Sequence, residues 1–269
     1  MALLEVKNLS TYFYTKGGVR KAVDGVSFSM DIGETLGLVG ESGSGKTVTA
    51  LSILRLIDEP GRITGGEVIF EGKPLFKLPS EEMRAIRGKE IAVVFQEPLT
   101  ALNPVMTVGE QIVEQILAHA DIPKSEAKAR SLGLLKEVHL PEPERVFYDY
   151  PHRLSGGMRQ RAMIAMALSL RPKLLIADEP TTALDATIQA EILDLFREIK
   201  EKYGMSILFI THDFGIVAQL ADRACVMQKG RVVEEGSVDD IFYSPKAAYT
   251  RELLEAIPKI PESLRIRND

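Results

Sequence analysis

Apolar and polar residues alternate through LLEVKNLSTYFY and again through KAVDGVSFSM, and that period of two predicts two antiparallel strands joined by TKGG. TLGLVG lacks the alternation, which predicts a strand buried on both faces, and it runs straight into GESGSGKT. A helical pattern follows from Lys46 to Leu56, then a short strand at GEVIFEG and a buried one at IAVVFQ that ends at Gln96. From about Val108 to Leu170 the repeat lengthens to helical spacing, broken by Pro123, Pro141, Pro143 and Pro151. KLLIAD predicts the next strand, Ala186–Tyr203 a helix, SILFIT a strand and DFGIVAQLA a helix. ACVMQ and GRVVEEG predict a hairpin, SVDDIF and AYTRELLEAI closing helical pieces, and the residues after Pro258 a frayed tail. Buried strands alternating with helices predict an α/β protein with a parallel sheet. The antiparallel strands at the start form a β subdomain, and the long helical stretch predicts an α-helical subdomain set between strands.

Composition narrows this picture without changing it. The chain has 269 residues, 45% hydrophobic and 26% charged, enough for one large core or two modest ones. A net charge of -5 tilts the expectation away from nucleic acid, which selects a basic face. Cys225 is the single cysteine, which excludes an intrachain disulfide and predicts no iron–sulfur cluster held by this chain. Its neighbours ADRACVMQKG predict a buried, inert thiol. No apolar run approaches the roughly 18 residues of a membrane span, and MALLEVKNLS lacks the apolar block of a signal peptide. The expectation is a cytoplasmic chain that reaches a membrane only by docking on another protein.

The chemistry begins at Gly40-Glu41-Ser42-Gly43-Ser44-Gly45-Lys46-Thr47, which matches G-x-x-x-x-G-K-[ST] between a predicted strand and a predicted helix. Glycines let the backbone wrap closely, so successive N–H groups and a helix N-terminus point at phosphate oxygens. Lys46 supplies a positive charge for the outer phosphates, the Thr47 hydroxyl is placed to ligate Mg²⁺, and Thr49 is expected among the further ATP contacts. A glycine-rich turn before a helix is the bland alternative, and the acids downstream argue against it. Leu174–Asp178 is an apolar strand that delivers Asp178 to the Mg²⁺ shell, and Glu179 follows as the candidate general base.

Kinases, GTPases and helicases share those two motifs. Leu154-Ser155-Gly156-Gly157-Met158-Arg159-Gln160 discriminates among them, because it resembles the LSGGQ signature of the ABC family. It opens a helix with Ser155 as N-cap, making a second helix N-terminus able to bind phosphate. The resemblance implies a P-loop NTPase core over residues 1–258, with a helical subdomain at about 97–170 and a tail at 259–269. It also implies two cassettes packed head to tail, with Leu154, Ser155, Gly156, Gly157 and Met158 closing on ATP held by the partner cassette. In the same family pattern Gln96 corresponds to the Q-loop glutamine that contacts Mg²⁺ and the attacking water. Asp185 in TALD resembles the D-loop residue that communicates across the dimer, and His212 in ITHD resembles the switch histidine at the γ-phosphate. Phe13 falls where the family stacks an aromatic on adenine, with Tyr14 as the alternative.

Longer strings, QEPLTALNPVMTVGEQI, YPHRLSGGMRQR and ADEPTTALDATIQAEIL among them, resemble the dipeptide, oligopeptide and nickel importer subfamily. That resemblance implies an ATPase at the cytoplasmic face of a cell membrane, powering import of di- or oligopeptides or of a related solute such as nickel or an oligosaccharide. Its implied partners are a second ATP-binding subunit, identical or homologous, two transmembrane permease subunits and, indirectly, an external solute-binding protein. Glu97–Pro104 and Tyr148–Arg153 are the segments expected to dock on the permease. Many members continue into a cysteine-rich tail that binds an iron–sulfur cluster, which this sequence lacks. The alternative function is a soluble ABC ATPase acting on nucleic acid or ribosomes. The long coiled coil of the repair types and the fused second cassette of the translation types are absent from this sequence.

Overall fold

Strand β1 (Ala2–Thr15) and strand β2 (Gly18–Asp31) form the expected hairpin, Thr15 facing Gly18 across the turn. In the computed structural model, which describes residues 2–256, β1 also pairs antiparallel with β4 (Gly61–Phe70), and β4 with the short β5 (Lys73–Pro74). The expected tail at 259–269, and Ile257 of the last expected helix, lie outside the described residues.

A second sheet holds β3 (Thr35–Val39), β6 (Ile91–Val94), β7 (Leu174–Asp178), β8 (Ser206–Thr211) and β9 (Arg223–Gln228), all parallel, with β10 (Arg231–Ser237) antiparallel at one edge. Its order is β10-β9-β3-β8-β7-β6, so the earliest strand lies between two late ones. The apolar runs of these strands alternate between two cores. Leu174, Ile176, Leu208 and Ile210 face the antiparallel sheet and α1 (Lys46–Ile53), whereas Leu175, Ala177, Ile207 and Phe209 face the helical side. A parallel sheet covered on both faces needs that continuous hydrophobicity, which explains why the sequence shows no alternation there. Thr11 and Ser52 share a buried hydroxyl bond of 2.7 Å that ties β1 to α1.

Residues 98–168 hold α3 (Pro98–Ala101), α4 (Val108–His119), α5 (Lys124–Glu137), α6 (Pro143–Val146) and α7 (Gly156–Leu168). Three of the four prolines that interrupt the periodicity sit at helix starts: Pro123 caps α5, Pro143 opens α6 and Pro151 opens a 3-10 turn. Thr107 and Glu110 close a reciprocal capping box on α4, with Glu110 N–H donating to the Thr107 hydroxyl at 3.2 Å and Thr107 N–H to the Glu110 carboxylate at 2.8 Å. Helix α8 (Ala186–Tyr203) covers the sheet and stops at Gly204, whose φ of 60° ends it. Helices α9 (Phe214–Leu220), α10 (Val238–Tyr243) and α11 (Ala248–Glu255) complete the described chain.

Several boundaries and elements differ from the sequence reading, among them β4, which begins at Gly61 instead of Gly66, and β5, which was not expected. The strand expected to end at Gln96 ends at Val94, and the helix expected to reach Leu56 stops at Ile53, with Arg55 at a φ of 54°. Helix α2 (Ser80–Ile86) was not expected; it buries only Met83 and Ile86, too few apolar positions to show a period.

Candidate active site

The carboxyl ends of parallel strands are where an open α/β sheet gathers its chemistry, because each strand delivers its last residues rigidly to one edge. Here β3 runs into the loop Gly40–Thr47, β7 ends at Asp178 with Glu179 next, β8 is followed by His212, and Gln96 lies two residues past β6. Glu179 is where they meet. Its Oε2 accepts from the Thr182 hydroxyl at 2.9 Å and from the Gln96 amide at 3.4 Å, and lies 3.2 Å from His212 Nδ1. Its Oε1 lies 3.8 Å from the Lys46 ammonium. Four side chains from four segments thus aim one carboxylate at the mouth of the phosphate loop.

Lys46 is buried, and its ammonium donates to the carbonyls of Gly40 at 2.7 Å and Glu41 at 3.0 Å. Burial pulls its pKa below the usual lysine range, against the opposing pull of Glu179 and Asp178. Asp178 is pushed up to about 6, chiefly by burial, with Glu179 adding like charge and Lys46 and the Thr47 hydrogen bond opposing it. The Thr47 hydroxyl donates to Asp178 Oδ1 at 3.1 Å. A hydroxyl beside a carboxylate is an all-oxygen donor set, the chemistry that suits a hard divalent cation sharing its shell with water and phosphate.

The loop fits a phosphate chain. Gly45 takes a φ of 108°, and a Cβ there would stand 2.3 Å from the Ala22 carbonyl, so only glycine lets the loop pack against β2 while opening α1. The Ser44 hydroxyl is buried without a hydrogen-bond partner among the described residues, an unmet polar group on the cradle itself. The adjoining cleft, about 360 Å³, is lined by Phe13, Arg20, Ser42, Gly43, Gly45, Lys46, Thr47, Gln96 and Glu179. Phe13 lines it and Tyr14 does not, because neighbouring residues of a strand point to opposite faces.

One expected contact is corrected. Thr49 is fully buried in α1, and its hydroxyl donates back to the Gly45 carbonyl at 2.9 Å, so its side chain braces the helix instead of meeting nucleotide. One residue was missed. Arg20 lies opposite Phe13 in the β1–β2 register and puts its guanidinium, without an ion-pair partner among the described residues, on the cleft beside Gly43. The hairpin pattern carried the signal, since a two-residue turn fixes which residue faces Phe13.

The second set of residues stands apart from this cleft. Ser155 caps α7 by accepting from the Met158 N–H at 3.3 Å, and Leu154 is buried behind it. At Gly157 a Cβ would lie 2.7 Å from the Ile188 Cγ2 methyl on α8, so a side chain there would crowd α8. Asp185 caps α8, accepting from Thr187 N–H at 3.1 Å and Ile188 N–H at 3.0 Å. Leu154–Met158 and Asp185 line no part of the Lys46 cleft, so this chain presents two phosphate-suited helix starts that it does not bring together.

The sequence model for ABC transporters matches residues 23–182. The chain is 54% identical over 262 residues to the oligopeptide transport ATP-binding protein OppD of Bacillus subtilis, covering 97% of this chain and 73% of that one. It is 52% identical over 262 residues to the dipeptide transport ATP-binding protein DppD of Haemophilus influenzae, covering 97% and 79%. Among solved structures it is similar to the dimeric ATP-binding cassette MJ0796 bound to ADP and Pi in a post-hydrolysis state, at 29% identity and a TM-score of 0.78 over 87% of this chain and 98% of that one. A phosphate loop, a strand-end acid pair and a glycine-opened helix on one sheet edge, together with these relatives, place the chain in the ABC transporter family.

Proposed function

We propose that this chain is the ATP-hydrolysing subunit of a peptide importer, driving transport as one of two cassettes attached to a pair of permease subunits at the cytoplasmic face of the membrane. The observation that carries the reading is the convergence of Lys46, Gln96, Thr182 and His212 on Glu179 beside the phosphate loop. OppD and DppD, which are peptide transport ATP-binding proteins by name, supply the solute class. No finding favours the alternative that acts on nucleic acid.

In this reading ATP lies along the cleft with adenine against Phe13 and its phosphates over Gly40–Thr47. Lys46 and Arg20 balance phosphate charge, and Lys46 enters that role with its charge already desolvated, which strengthens each contact it makes. Thr47 and Asp178, with Gln96, would hold Mg²⁺, which would supply positive charge against the phosphates. Glu179 takes the proton of a water aligned on the γ-phosphate, and His212 steadies the carboxylate and reaches toward the same phosphate. Ser155–Gly157 and Asp185 act on the ATP of the partner cassette, which accounts for their separation from the Lys46 cleft. Leu99 and Tyr148 are 55% and 61% exposed, apolar surface on which the 97–104 and 148–153 segments would meet the permease.

Phosphate release measured at several dilutions, with and without permease in liposomes, tests the reading. The isolated chain should turn over slowly and faster per molecule as its concentration rises, because dimerisation carries the full association cost. Attachment to a permease raises the effective concentration to roughly millimolar and should remove that dependence. Fast turnover independent of dilution would refute the two-cassette scheme.

A further inference from the structure

The phosphate loop is held from behind by parts of the chain that the family match at 23–182 does not reach. Gly230, in the β9–β10 turn, donates its N–H to the Ser44 carbonyl at 2.8 Å and accepts from Asp24 N–H at 2.8 Å. Tyr249, on α11, is buried among Val39, Phe214, Val217, Val226 and Ile241, and Val39 is the residue just before Gly40. Its hydroxyl oxygen accepts from Glu41 N–H at 3.3 Å. The N–H of Glu41 and the carbonyl of Gly40 belong to one planar peptide unit. That carbonyl takes the Lys46 ammonium at 2.7 Å, so a single peptide plane is fixed by a phenol at one end and by the ammonium at the other.

We infer that Tyr249 is a positioning residue for Lys46: its hydroxyl sets the Gly40–Glu41 peptide, and through it the ammonium that meets the nucleotide phosphates. The inference rests on the ATPase reading above. A peptide whose N–H is engaged presents a more polarised carbonyl, and one whose N–H is freed can turn away from both partners. Burial raises the Tyr249 pKa, so the side chain acts as a neutral phenol. The start of α11 is anchored independently, with Lys246 and Ala247 N–H donating to the Glu234 carboxylate at 2.6 and 3.0 Å. The helix therefore stays docked when the hydroxyl alone is removed.

Tyr249→Phe keeps the ring and deletes the acceptor. Calorimetry of the full chain with MgATP should show affinity weakened about three- to tenfold, the range of one hydrogen bond to a neutral group. The KM for ATP should rise in proportion while kcat moves less than about twofold, because the base and the water are untouched. Leu253→Ala, which thins the packing of α11 without touching the hydroxyl, should lower the melting temperature and leave ATP affinity unchanged. Tyr249→Phe binding ATP as tightly as the wild type would overturn the inference, as would Leu253→Ala weakening binding equally, which would make α11 a purely structural support. Failure of the underlying reading shows separately, as a wild-type chain that binds no ATP.

Discussion

Replacing Glu179 with glutamine should stop turnover while leaving ATP bound. Three groups converge on Oε2 of Glu179, from Thr182 at 2.9 Å, His212 at 3.2 Å and Gln96 at 3.4 Å, and Oε1 faces Lys46 at 3.8 Å. A glutamine carbonyl takes the Oε2 position and keeps those partners, so its amide nitrogen falls beside Lys46. The group that accepts the water's proton is then gone, a loss of about 10²–10⁴ in rate, or about 3–5 kcal/mol of barrier. Lys46 keeps Asp178 as its remaining carboxylate neighbour, and Asp178 loses the like charge that helps raise its pKa, so both changes act on the same ion cluster. Phosphate release under saturating MgATP gives kcat, calorimetry gives the ATP affinity, and gel filtration follows the trapped pair of cassettes. The expected outcome is at least a hundredfold fall in kcat, affinity within a few-fold of wild type, and a dimer that appears only with ATP. Turnover above about a tenth of wild type would remove Glu179 as the base. Loss of binding together with turnover would assign it instead to holding Lys46.

Two further substitutions probe the site, and one labelling experiment probes the core. Asp178→Asn should stabilise the nucleotide-free chain at pH 7 by up to about 3 kcal/mol, since a carboxyl at about 6 in the fold and 3.8 unfolded loses stability as pH rises between those values. Urea titrations at pH 4.5 and 7.5 should show that gain shrinking toward the acid side while Mg²⁺-dependent ATP binding is lost, and a gain independent of pH would refute the assignment. Gly157→Ala should leave ATP binding to the isolated chain intact but abolish concentration-dependent turnover, because its Cβ would press on Ile188 at 2.7 Å and displace the start of α7; unaltered turnover would free Gly157 from the cross-cassette role. Cys225, fully buried and with its thiol pKa raised by burial, should resist a thiol reagent in the native state and react at the unfolding rate, which timed quenching would measure.

What the sequence showed and what it hid divides along physical lines. Gly40–Thr47 and Asp178–Glu179 were legible because each motif is local, the loop following directly on β3 and the acids standing at the end of β7. The α8 and β8 boundaries matched because strong caps mark them, Asp185 at one end and Gly204 at the other. Thr49 was misplaced because the motif gives its spacing from Lys46 but not the inward turn of its helical face. Arg20 was missed because its position depends on cross-strand register, and Tyr249 because its partner Glu41 lies 208 residues earlier. The end of β6 at Val94 was blurred by Phe95, an apolar residue that prolongs the pattern without being buried.

The order of the central sheet also governs how the protein comes into being. Strand β3, complete by Val39, lies between β8 and β9, which end at Thr211 and Gln228, and the loop it launches is braced by Gly230. A chain emerging from the ribosome at about 5–20 residues per second therefore carries its phosphate loop unsupported for roughly 10–40 seconds before those neighbours exist. Contacts this distant in sequence close late and slowly. Bracing of the phosphate loop therefore waits on Gly230, about 180 residues after the loop itself is made, whereas the β1–β2 hairpin closes on itself as soon as it emerges.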